Sequence, residues 1–75
     1  MESYEKMADL AEHLAEHLIN GNKNYVIERL LEYDMIHQIT LYLMIVQILD
    51  FRYKGNSNIA EDFYNLVKNK TNLNI

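Results

Sequence analysis

A chain of 75 residues with a net charge of −4, nearly half of it hydrophobic, holds one small core, and such a composition argues against intrinsic disorder. Seven Lys and Arg stand against eleven Asp and Glu; the basic stripe that phosphate binding needs is missing, which excludes direct binding to DNA or RNA. Absence of cysteine excludes disulfides and thiolate metal sites, and absence of proline leaves the two glycines, Gly21 and Gly55, as the main punctuation.

The first predicted helix spans about 3–20. Tyr4, Met7, Leu10, Ala11, Leu14 and Leu18 follow the i, i+3, i+4, i+7 spacing of one helical face. Ser3 is placed to cap its start, Glu5 suits the first turn, and Gly21 supplies the left-handed residue that ends many helices. Residues 1–16 hold five acids and one base, whereas residues 17–75 hold six of each. The whole charge imbalance therefore belongs to this helix.

Asn22, Lys23 and Asn24 read as a turn, with Asn24 as N-cap of a short second helix over 24–33. Val26, Ile27, Leu30, Leu31 and Tyr33 lie on its apolar side, opposite Glu28, Arg29 and Glu32. Asp34 then breaks the chain and caps a third helix over 35–53. Placed at 100° per residue, its polar residues His37, Gln38, Thr40, Gln47, Asp50 and Arg52 scatter singly round the wheel. A helix apolar all round is expected to be buried, which makes it the hub of the fold. Its β-branched content allows a strand, but the run is too long for one and has no internal turn signal. Its strongly apolar stretch, Leu41 to Leu49, falls far short of the roughly 20 residues of a membrane span.

Gly55 is expected to end the third helix. Asn58, with Glu61 three residues on, resembles a capping box at the start of a fourth helix over 58–69, whose stripe is Ile59, Phe63, Leu66 and Val67. Residues 71–75 are expected to fray. The fold class is all-α, a single-domain bundle of three to four helices around a central apolar helix.

His13-Leu14-Ala15-Glu16-His17 matches the inverted zinc-peptidase pattern, in which two histidines one turn apart hold the metal and the glutamate serves as base. A metal-dependent hydrolase also needs a distant third ligand and a cleft, so the expectation is a flanking pair, His13 and His17, with weak metal affinity at most and no cofactor. His37, in the first turn of the apolar helix, reads as a hydrogen-bonded, half-buried residue. No nucleophile stands beside a base, and no enzymatic activity is expected.

Two surfaces remain. Glu5, Asp9, Glu12 and Glu16 stack within about 40° of one another, at a small cost to the helix from like charges one turn apart. The row is either a solvated face or a docking face for a basic partner. The apolar helix is either enclosed by the other three or completed by a second copy or another protein, with Tyr33, Tyr42, Met44 and Tyr53 as expected interface residues.

The expected function is a non-enzymatic protein–protein interaction or regulatory protein. One version inhibits a nucleic-acid-binding factor by presenting the acidic stripe where phosphates would lie. The other is a structural or adaptor subunit, a homodimer or part of a larger assembly, that uses the apolar helix. The N-terminus lacks the basic and apolar regions of a signal peptide, so a cytoplasmic location off the membrane is expected. Heavy use of Asn, Ile, Tyr and Lys points to an AT-rich genome. By association alone, with no motif behind it, this suits a phage or mobile-element product acting in the host cytoplasm.

Overall fold

The computed structural model describes residues 4–53 and 57–73, with side chains described for 6–53 and 58–73. Among them the chain forms four helices and no strand: α1 (Tyr4–Ile19), α2 (Lys23–Leu31), α3 (Met35–Arg52) and α4 (Ser57–Lys70). The apolar spacing of the first segment becomes the buried face of α1, where Met7, Ala11, Leu14, Ala15 and Leu18 are all enclosed. Alanine at 11 and 15 lets a neighbouring backbone approach closely, and the broadest helix–helix contact in the bundle is α1 on α3. Every helix touches the other three. The Cα radius of gyration is 11.3 Å, the value of about 11 Å that a well-packed chain of this length reaches.

The end of α1 is set by local chemistry. Gly21 adopts φ +88°, its N–H donates to the Leu18 carbonyl at 3.1 Å, and the Asn22 N–H donates to the His17 carbonyl at 2.8 Å. This 5→2 and 6→1 pair is the Schellman arrangement, which satisfies carbonyls that the helix end leaves open. A Cβ built on Gly21 meets nothing within 4 Å, so its requirement for glycine is conformational rather than steric. Gly21→Ala is expected to cost about 1 kcal/mol, or a fall of roughly 4–8 °C in Tm for a domain of this size. Thermal unfolding by circular dichroism measures it, and an unchanged Tm would show that the turn readjusts without strain.

α2 begins earlier than expected. Asn22, not Asn24, is its N-cap, and it makes no side-chain cap bond; its side-chain NH2 donates to His17 Nδ1 at 3.0 Å. Val26, Ile27 and Leu30 are buried, but Leu31 is 52% exposed. The helix ends in a tight turn with Glu32 and Tyr33 N–H groups donating three residues back, so Leu31 and Tyr33 do not continue the buried stripe.

Asp34 caps α3 from extended backbone. One of its carboxylate oxygens accepts the His37 N–H at 3.0 Å and also meets the His37 ring Nδ1 at 2.6 Å. These hydrogen bonds favour the ionised carboxylate, and they hold the Asp34 pKa below its ordinary value, with the backbone N–H of His37 contributing most and its ring next. Since the acid is depressed in the folded state, its contribution is complete above the ordinary carboxylate pKa of about 3.9. The contribution is lost as pH falls through the lower folded value. Asp34→Asn keeps an acceptor for the cap but removes this dependence. The difference in Tm between wild type and Asp34→Asn is therefore expected to shrink on acidification from pH 6 to pH 2. Parallel melting curves across that range would contradict the assignment.

α4 starts at Ser57, which places Asn58 inside the helix rather than at its cap. Gly55, expected to end α3, and Ser3, expected to cap α1, lie outside the described residues. Phe63 and Val67 are buried on α4, and the Phe63 ring stacks on Tyr42 of α3 with centroids 5.4 Å apart and planes 27° apart. The expectation of a frayed tail is overturned for residues 71–73. The Thr71 hydroxyl donates to the Val67 carbonyl at 2.7 Å and accepts the Leu73 N–H at 3.2 Å. That fold-back buries Leu73 to 5% exposure within the common core.

The largest departure from expectation is on α3. Leu41, Tyr42, Ile45 and Leu49 face the bundle, but the helix is not enclosed on every side. Met35, Ile36, Ile39, Leu43 and Phe51 stand in solvent. The other three helices supply 16, 9 and 14 residues, and they cover only one side of an 18-residue helix. α3 is central to the packing, yet it keeps an open apolar face.

Candidate functional site

The open face of α3 is an ordered row. Ile36, Ile39, Leu43 and Val46 repeat with the 3–4–3 spacing of a coiled-coil seam. Ile36 is 75% exposed, Leu43 52% and Phe51, at the C-terminal end, 84%. Val46 is half-buried at the flank. Gln47 and Asp50 stand exposed on this side as well. The Thr40 hydroxyl donates back to the Ile36 carbonyl at 3.0 Å, and the Gln38 side chain donates to the Tyr33 carbonyl at 2.8 Å.

Beside the row, α1 and α3 enclose an open groove of about 440 Å³. Ala8 and Glu12 line it from α1, and Met44, Gln47, Ile48, Phe51 and Arg52 line it from α3. Glu12 and Arg52 pair across it at 2.8 Å, so the charges at the groove neutralise each other. Phe51 lines the groove together with the exposed Gln47, which stands between it and Leu43 on the helix.

The expected interface residues fall differently. Tyr42 is 9% exposed and is stacked in the core, where burial raises its hydroxyl pKa, with a further rise from Tyr64. It offers nothing to a partner in this conformation. Met44 is half-buried and lines the groove. Tyr33 and Tyr53 are half-buried at the two ends of α3. The residues that do stand outward, Ile36, Ile39, Leu43 and Phe51, escaped the sequence reading because nothing in an all-round apolar wheel marks its solvent side.

The acidic stripe is outward. Asp9, Glu12 and Glu16 are exposed, on the side of α1 away from its buried residues; the Glu5 side chain lies outside the described residues. Glu12 is engaged by Arg52, which interrupts the row as a free anionic surface.

His13 and His17 come together with Tyr25 of α2. The two imidazoles meet edge to face at 4.5 Å, and the Tyr25 ring lies 4.5 Å from His17. The Asn22 amide donates to His17 Nδ1, which places a neutral His17 proton on Nε2 and fixes the ring on the α1–α2 corner. No group of three His, Asp or Glu side chains among the described residues is arranged to hold a metal ion. The geometry makes these rings a polar–aromatic clasp over the helix turn. His37 is half-buried and held by Asp34.

No helix among the described residues is long and apolar enough to cross a membrane. Comparison with protein families, curated proteins and solved structures finds no match to this chain.

Proposed function

We propose that the protein is a non-enzymatic interaction module that works by binding a protein chain through the outer face of α3. The observation that carries this reading is the solvent exposure of Ile36, Leu43 and Phe51 on a helix whose other side is the core. Exposed apolar side chains gathered on one helix face mark binding sites more often than singly scattered ones do. Inhibition of a nucleic-acid-binding factor through Asp9, Glu12 and Glu16 ranks below it, because the middle residue of that row already has a cation.

The test is affinity capture from the native host with the wild-type chain and an Ile36→Glu, Leu43→Glu double variant. Both positions are exposed, so the variant is expected to keep its helical content. A stoichiometric protein ligand held by the wild type and lost by the variant supports the reading. A ligand that survives the double variant but is lost on charge reversal of Asp9 and Glu16 would transfer the function to α1.

A further inference from the structure

We infer that the partner seated on the outer face of α3 is a second copy of this chain, with the two α3 helices packed antiparallel about a two-fold axis between Ile39 and Leu43. This rests on the preceding assignment of the α3 face as the binding surface and names its occupant.

Area is the first argument. The exposed parts of Met35, Ile36, Ile39, Leu43 and Phe51 on α3 amount to roughly 600 Å² of apolar surface, against the ~800 Å² that each partner buries in a stable interface. The α3 face can therefore supply most of such an interface.

The seam also complements itself. Pairing residues whose numbers add to 82 sets Ile36 against the partner's Val46 and Ile39 against the partner's Leu43. By symmetry, the two-fold repeats both layers. All four layers are apolar, and a C2 interface requires this match of a surface to itself.

Charge then selects the orientation. In this register Asp50 falls just beyond the N-terminal end of the partner's α3, level with the partner's Glu32, whose charge Arg29 offsets at 2.7 Å, and near the partner's Asp34, whose carboxylate already caps that end. A parallel pair would instead set Asp50 against the partner's Asp50 at two negative poles. Glu12 and Arg52 cancel at the groove, which leaves the exposed Asp50 as the charge at the end of the row. Interfacial membrane helices carry Lys and Arg beside their apolar face, whereas the groove beside this one carries the neutral pair and the row ends on Asp50.

Sedimentation equilibrium of the full chain at high micromolar concentration is expected to give a dimer. Leu43→Glu is expected to weaken self-association about a hundredfold or more, since it buries an unpaired charge at the central layer, while leaving the circular dichroism spectrum unchanged. The chain has no cysteine, so spin labels can be placed singly. With 1.5 Å rise per residue, labels at Thr40→Cys are offset along the axis by about 3 Å and labels at Gln47→Cys by about 18 Å. Dipolar distances that lengthen from 40 to 47 support the antiparallel pair. Equal distances at both positions would overturn it. A wild-type chain that stays monomeric would also overturn it, whether free or while co-sedimenting with vesicles of anionic lipid. A monomer whose captured protein ligand is lost in Leu43→Glu removes only the second copy and leaves the assignment of the face intact. A dimer unaffected by Leu43→Glu pairs through another surface and removes the second copy from this face.

Discussion

Leu41→Ala is expected to destabilise the protein by about 2–5 kcal/mol, while Leu43→Ala, two residues away on the same helix, should change monomer stability by no more than about 0.5 kcal/mol. Leu41 is fully enclosed and Leu43 is 52% exposed. Truncating the first removes its transfer free energy and leaves a cavity among α1, α3 and α4 side chains. Truncating the second takes away surface that water already reaches. The two variants share chemistry and helix propensity, so the comparison isolates burial. Urea denaturation, at a concentration low enough to keep the chain monomeric, is the measurement. Similar losses for both would mean that the outer face of α3 is covered within one chain. Similar small losses would mean that the bundle does not pack α3 as described.

What the sequence made legible was local or periodic. α1 reads correctly because its outer side is polar, and only one orientation of such a helix buries Met7, Leu14 and Leu18 without burying Glu12 and Glu16. Gly21 and Asp34 read correctly because a left-handed C′ residue and an N-cap carboxylate act through neighbours fewer than five residues away. α3 defeated the same logic. When apolar residues occupy the whole wheel, periodicity carries no orientation, and the solvent side is decided by how many other helices are available to cover it. Leu73 was misread for a related reason. Its burial depends on a fold-back onto Val67 and on a core vacancy between other helices, neither of which is visible in residues 71–75 themselves. Tyr42 reads as an interface residue on composition, and the Phe63 ring it stacks on lies twenty-one positions further along.

That ring carries the heaviest single expected loss. Phe63→Ala should cost about 3–5 kcal/mol, comparable with the whole stability of a domain of this length, which at ~0.05–0.15 kcal/mol per residue is roughly 4–11 kcal/mol. Phe63 is 1% exposed and fastens α4 to α3 through Tyr42. A stacked aromatic pair contributes about 0.5–1.5 kcal/mol beyond its buried area. Phe63→Leu retains most of the volume but loses the stack, so it should fall between wild type and alanine. The loss has a defined place. α4 docks mainly through Phe63, Val67 and the returning Leu73, so the alanine variant should release α4 before it melts the α1–α3 pair. Hydrogen exchange by mass spectrometry is expected to show amides of 59–70 exchanging fastest, with those of 41–49 still protected. Uniform loss of protection would make the four helices one cooperative unit. An alanine variant as stable as wild type would remove Phe63 from the core. Tyr42 lies one turn from Ile39 and Val46, so the outer row borders this contact; Phe63→Leu keeps most of the volume beneath Tyr42, and its self-association should match wild type.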